Sequence, residues 1–175
     1  MILISLKRMG DVSHLAVKLD EVKTYLKIDS TIEDKLLLTF IAAAINQCEE
    51  CTGLSLSKTH WCAVYKIMND VEEVILPKKP VINMLSVGGY QHDGEKADID
   101  KSLYYRFEDR LVFRHIPFFT KLYVNFEAGY DEDKNLMPAE IKAILLEHIA
   151  DMYEKRNRQS NFPIMKYKKF RSMKL

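Results

Sequence analysis

The spacing of apolar residues changes twice along this 175-residue chain, and this change constrains the fold more than any other feature. Up to residue 52, apolar side chains recur every three or four residues, as at Leu19, Val22 and Leu26, which is typical of helices. Between residues 56 and 127 apolar and polar side chains alternate, as in strands, and from residue 138 the helical spacing returns. Strands that form one block, without helices between them, indicate an α+β protein.

We therefore predict an α+β fold that is mainly a helical bundle, with two N-terminal helices, one C-terminal helix and an inserted antiparallel sheet of short strands. The helices are expected at about residues 19–27, 32–52 and 138–156, and the strand block at about residues 56–127. Gly53 is expected to end the second helix, because glycine readily adopts the left-handed conformation found at helix C-termini. Residues 1–156 are expected to form a single domain, and residues 157–175 a basic C-terminal tail.

The second helix is apolar around most of its circumference. This pattern is typical of a helix that is buried on several sides. In a chain this short, we expect part of that cover to come from another subunit. The candidate subunit-interface residues are Leu37, Phe40, Ile41 and Ala44.

Basic residues are concentrated at the end of the sequence. Residues 154–175 contain eight basic residues and one acidic residue, a net charge of +7, so the remainder must carry −6 to give the whole-chain value of +1. This segment is either a solvated terminus or a contact for nucleic acid or an acidic protein surface. Tyr167 and Phe170 are interleaved with the charges and would suit stacking on bases. The candidate contact residues are Lys155, Arg156, Arg158, Lys166, Lys168, Lys169, Arg171 and Lys174.

Cysteine and histidine raise the question of a zinc site. Cys48 and Cys51 form one pair, and His60 and Cys62 form another. Thiolate and imidazole are suitable zinc ligands. The first pair falls at a helix end and the second on a strand with only one residue between its members, so we expect reduced, buried or half-buried thiols. A small metal-dependent enzyme using this set is the least favoured hypothesis.

The acidic loop near residue 131 resembles the start of a calcium-binding loop. Asp131, Asp133 and Asn135 match the first three ligand positions. Leu136 occupies the position that requires glycine, and Lys142 the position that requires a bidentate glutamate. We therefore expect no calcium site.

No other residue pattern indicates an enzyme. The five histidines are scattered, and His148 lies on the apolar face of the last helix, where a packed side chain is expected. No glycine-rich loop has the spacing that binds phosphates. We predict no catalytic residues, no metal and no cofactor. No apolar run approaches the ~20 residues of a membrane helix, so we expect no membrane association and a cytosolic protein.

Six segments of the chain, in order, resemble the motifs of one known family. Residues 19–29, LDEVKTYLKID, resemble that family's opening motif LEEVKxYLRID. Cys51 departs from the third motif, where an aromatic residue is usual. The segments are Leu19–Asp29, Asp34–Ala44, Glu50–Leu56, Ile75–Val81, Phe126–Tyr130 and Met137–Arg156.

The family is that of the head–tail connectors, also called head-completion or DNA-packaging adaptor proteins, of tailed double-stranded DNA bacteriophages and prophages. The resemblance implies a structural protein of the virion head–tail junction, assembled in the host cytoplasm. It implies a ring of about 12 copies below the portal protein that continues the DNA channel without reading base sequence and docks a neck, stopper or tail protein. The alternative is a small DNA-binding module, not specific for sequence, that uses the basic tail.

Overall fold

The computed structural model describes residues 1–10, 16–68, 73–115, 118–131, 136–155 and 162–171. The chain forms two compact units, and each unit is built from two separate segments. The sheet unit comprises Met1–Ser13 and Lys58–Gly129. The helical unit comprises His14–Ser57 and Tyr130–Leu175.

The helical unit is organised around its longest helix. The α-helices in chain order are α1 (Leu19–Leu26), α2 (Asp34–Thr52), α3 (Ala139–Glu154) and α4 (Met165–Lys168). Helix α2 packs against the three others. Its side chains Leu37 and Ile41 are completely buried beside Leu145, Ile149 and Tyr167, so the core of this unit draws on residues from both chain segments.

Local hydrogen bonds explain where these helices begin and end. The Lys18 N–H donates to the Glu21 carboxylate at 2.9 Å at the start of α1. Gly53 adopts φ 75° after α2, and its N–H donates to the Glu49 carbonyl at 3.0 Å. The Glu49 carboxylate, almost fully buried, accepts the Leu56 N–H at 2.7 Å. The predicted role of Gly53 is thus confirmed, and the three predicted helices are present.

The sheet unit contains two antiparallel sheets. One sheet has five strands in the order β1-β2-β8-β4-β5, and the other has three in the order β3-β7-β6. A 3-10 turn at Lys101–Leu103 precedes β6. The strands are β1 (Ile2–Met9), β2 (Thr59–Lys66), β3 (Glu73–Ile75), β4 (Val81–Tyr90), β5 (Lys96–Asp98), β6 (Tyr104–Phe107), β7 (Arg110–Phe113) and β8 (Lys121–Ala128).

Alternation of side chains explains how the sheet unit forms its core. On β2, Trp61 and Tyr65 are buried on one face, whereas His60, on the opposite face, is exposed. Phe126 on β8 and Leu111 on β7 belong to the same apolar cluster. One face of the five-stranded sheet is therefore packed and the opposite face is polar.

The predicted fold class was wrong in describing the protein as mainly a helical bundle. Eight strands in two sheets stand beside four α-helices in the part of the chain that the structure describes, and the strands hold about as many residues as the helices. Strand β1 was not predicted, because Ile2, Leu3 and Ile4 are successive apolar residues without alternation. Strand β5 and helix α4 were too short to be recognised from periodicity.

Candidate functional site

The described part of the basic segment, residues 162–171, is attached to the helical unit through Tyr167. This side chain is completely buried, and its hydroxyl lies 2.9 Å from Nδ1 of His148. The His148 ring stacks on Phe162 with ring centroids 4.2 Å apart. Tyr167 is therefore a core residue, and the expectation that it stacks on bases was wrong.

Burial determines the protonation of this cluster. Removal from water lowers the pKa of His148, although Asp151 opposes the shift, and it raises the pKa of Tyr167. A neutral imidazole is consistent with Nδ1 accepting the Tyr167 hydroxyl hydrogen. The prediction that His148 is a packed side chain is confirmed, since it is 3% exposed.

Several of the predicted contact residues form ion pairs within the helical unit. Lys166 pairs with Glu147, and Lys169 pairs with Glu140, both on α3. Lys155 likewise pairs with an acidic residue one turn earlier on the chain, Asp151. Exposed pairs of this kind contribute little to stability, so a more strongly charged partner can compete for these lysines.

Two exposed basic residues of the described part of this segment have no recorded ion pair. Lys168 and Arg171 are exposed, and of the segment's basic residues within 162–171 they are the two for which the structure records no ion pair. Arg156, Arg158 and Lys174 lie outside the described residues.

An open groove of about 620 Å³ runs beside these ion pairs. Apolar side chains of α1, α3 and α4 line it, and both Lys–Glu pairs contribute to its walls. This groove was not predicted from the sequence. The available signal was the spacing of Glu140, Ala143 and Glu147, which marks a second face of α3 beside its buried face.

The structure places three of the four predicted interface residues inside the helical unit. Leu37, Ile41 and Ala44 are completely buried, and Phe40 packs against the same core. Helices α1, α3 and α4 supply the cover that was expected from another subunit. The larger apolar side chains that this region leaves exposed are Ile32, Leu36 and Leu38.

The residues weighed as metal ligands have other roles or lie elsewhere. The predicted burial of the cysteines is confirmed: Cys48 is buried, Cys51 and Cys62 are half-buried, and none of the three forms a disulfide within the chain. Asp133 and Asn135 lie outside the described residues. In the ranges that the structure covers, no three acidic, histidine or cysteine side chains are grouped as a metal site.

His60, one of the residues weighed for zinc, belongs to a polar row on the open face of the five-stranded sheet. Glu127 on β8 lies between His60 on β2 and Asn83 on β4, and its carboxylate is 2.9 Å from each. Lys58 lies 3.7 Å from the same carboxylate. The Asn83 hydrogen bond is the largest of the effects that lower the pKa of Glu127. This row is a charged feature of the open face of the five-stranded sheet.

No helix in the described ranges combines the length and the apolar character needed to cross a bilayer.

The fold is shared with chains of gene transfer agent particles. Over 98% of this chain it matches a chain in the neck of an empty gene transfer agent particle computed with C6 symmetry, of which 97% is covered, with TM-score 0.81 and 18% identity. Chains of the native gene transfer agent virion and of the native neck computed with C12 symmetry match with the same coverage and identity and TM-scores of 0.80 and 0.79. No curated protein matches the sequence.

The sequence places the chain in a family. Residues 16–116, more than half of the chain, match the family "Phage gp6-like head-tail connector protein". The chain therefore belongs to the gp6-like head–tail connector family of phages, a family of structural proteins. This assignment confirms the resemblance noted from the six sequence segments.

Proposed function

We propose that the protein is a non-enzymatic subunit of a ring of about 12 copies below the portal. The ring continues the DNA channel and docks a neck, stopper or tail protein. Family membership over residues 16–116 carries this proposal, and the match of the whole fold to chains from neck structures supports it. On this proposal the subunit assembles in the host cytoplasm and ends at the head–tail junction of the virion.

The surface of the helical unit supports assembly through protein contacts. A ring needs two different, complementary surfaces on every subunit. Leu36 and Leu38 of α2 are 36% and 41% exposed, and Ile32, just before the helix, is 90% exposed. Exposed large apolar side chains of this kind are candidates for contact with another subunit. This set replaces Leu37, Ile41 and Ala44 as the proposed subunit contact on α2.

The basic segment supports a second contact. Lys168 and Arg171 are exposed, and a ring would bring about a dozen copies of them toward a common assembly. We propose that they meet an acidic surface of the portal. The same charges would tolerate passing DNA of any sequence, since phosphate contacts carry no base information.

The ring is tested by mass photometry and negative-stain imaging of the purified chain, alone and with its portal protein. Closed rings of uniform size are expected in at least one of these conditions. A chain that stays monomeric at high concentration and beside the portal would overturn the proposal.

The alternative, a DNA-binding module that is not specific for sequence, is favoured by the same two exposed basic residues. Under it, Lys168→Glu combined with Arg171→Glu weakens duplex binding and makes the plot of log affinity against log salt shallower by about 1.8, at ~0.9 per lost phosphate contact. Lys27→Glu with Lys35→Glu, an equal charge change at two other exposed lysines, is the matched control. If the first pair of changes abolishes portal docking and leaves DNA binding unchanged, the alternative fails.

A further inference from the structure

The five-stranded sheet has an unusual first strand. β1 is its outermost strand, it is eight residues long, and within the described residues it pairs with β2 alone. Ile2, Leu3 and Ile4 are 54%, 41% and 48% exposed. A long, apolar edge strand is a template for pairing with another strand, and proteins ordinarily protect such edges with charges. In β1, Lys7 and Arg8 protect only the second half.

Both faces of β1 are incompletely covered. Leu3 lies opposite Tyr65 of β2, on the packed face of the sheet, and Ile2 lies opposite Lys66, on the other face. Ile4 falls at a register shift and has no counterpart on β2. Because side chains on both faces remain exposed, one added strand on the free edge would cover both of them.

The opposite side of the same sheet offers a matching edge on β4. The short strand β5 pairs only with Gly88, Gly89 and Tyr90 at the end of β4. On the side of β4 away from β8, the hydrogen bonds recorded for Val81–Val87 within the described residues lie at its two ends: the Val87 carbonyl accepts the Ile99 N–H, and the Val81 carbonyl accepts the Arg106 guanidinium, both at 2.8 Å.

The residues between these two ends resemble the apolar half of β1. Ile82 and Leu85 are skipped in the pairing of β4 with β8, so each has no counterpart on β8. Leu85 is 44% exposed. This segment, Ile82–Ser86, holds three apolar residues beside the polar Asn83 and Ser86, and within the described residues no strand pairs with it on the side away from β8.

Strand direction determines how β1 of one copy can pair with β4 of another. Neighbouring strands alternate in direction across the order β1-β2-β8-β4, so β1 and β4 run in opposite directions. If the copies are arranged head to tail so that their β1 strands all run in the same direction, β1 of one copy lies antiparallel to β4 of the next. This contact uses two different surfaces on each subunit, which is the arrangement that closes into a ring.

We propose that the free edge of β1, at Ile2–Ile4, adds to the Ile82–Ser86 segment of β4 in an adjacent copy of this chain and so joins the five-stranded sheets of neighbouring subunits. This inference rests on the proposed ring and specifies one of its interfaces.

Directed cross-linking tests the pairing. Chains carrying Ile4→Cys and chains carrying Leu85→Cys are mixed under mild oxidation. A disulfide-linked dimer that needs both variants is expected, and a chain with both changes should give a ladder of linked multimers. The wild-type chain, with its three free cysteines, is the control and should give neither. Dimers from Ile4→Cys alone would show that two β1 strands pair with each other and would overturn the proposal.

A charge change tests whether the contact holds the ring. Ile4→Lys should raise the concentration needed for half-assembly by about tenfold or more, because a charge would face apolar side chains in a dry contact. Leu136→Lys, a comparable change at a 68% exposed site in the helical unit that is placed in neither proposed contact, is the control. Thermal unfolding checks that both variants fold.

The outcomes separate this inference from the proposed function. Rings that form with unchanged affinity in Ile4→Lys overturn the β1 contact and leave the connector ring intact. A wild-type chain that forms no ring, even with portal protein, overturns the proposed function itself.

Discussion

The Tyr167–His148 contact predicts how firmly the basic segment is held. Tyr167→Phe removes the hydroxyl and leaves Nδ1 of His148 without its partner at 2.9 Å, in a site where His148 is 3% exposed. An orphaned buried polar group costs about 1–3 kcal/mol. In a chain of this size each kcal/mol lowers Tm by about 2–4 °C. The ring of residue 167 is retained, so no large cavity forms.

The measurement is urea unfolding monitored by far-UV circular dichroism. A variant at an exposed tyrosine is measured alongside. Tyr25→Phe is the control, because Tyr25 is half exposed and its change should fall within about 0.5 kcal/mol. The double variant Tyr167→Phe with His148→Phe leaves no orphaned ring nitrogen, so it should lose less than the sum of the two single changes. If Tyr167→Phe costs no more than Tyr25→Phe, the buried hydrogen bond does not anchor the segment.

Two further predictions concern pH and packing. The pKa of His148 is lowered on folding, so below about pH 6.5 the unfolded chain binds more protons than the folded chain. The stability that neutral, buried His148 contributes should therefore be lost as pH falls from about 6.5 toward the lower folded-state pKa. Tm measured between pH 7.5 and 5.5 should show a smaller decrease in His148→Phe than in the wild-type chain. Gly88→Ala should destabilise the sheet unit by about 1–3 kcal/mol in urea unfolding, because an added Cβ would overlap the Tyr123 hydroxyl and the Ala97 carbonyl; a loss below ~0.5 kcal/mol would contradict this packing.

The helices could be predicted because their signals are local. The spacing of Leu19, Val22 and Leu26 and the glycine at position 53 depend only on residues a few places apart, and both α1 and the end of α2 lie where they indicate. The polar row around Glu127 could not be predicted in the same way, since His60 and Asn83 reach it only through strand pairing.

The basic segment shows what charge alone does not predict. Its lysines suggested a solvent-facing tail, and no local pattern indicates that Glu140 and Glu147 would pair with Lys169 and Lys166 across more than 18 residues. The burial of Tyr167 depends on His148 in the same way. The ion pairs and the burial of Tyr167 depend on contacts between residues far apart in the sequence, and the local spacing of apolar residues does not indicate such contacts.

Each unit closes only when two distant stretches of the chain meet, and this has a consequence for the timing of folding. The core of the helical unit includes Val22 and Leu37 near the beginning and Tyr167 near the end. A nascent chain emerging from the ribosome presents α2 long before Tyr167 has been synthesised, so that core cannot be completed during most of translation. Unfinished chains would therefore lack a completely folded helical unit, which disfavours the incorporation of truncated copies into a growing particle.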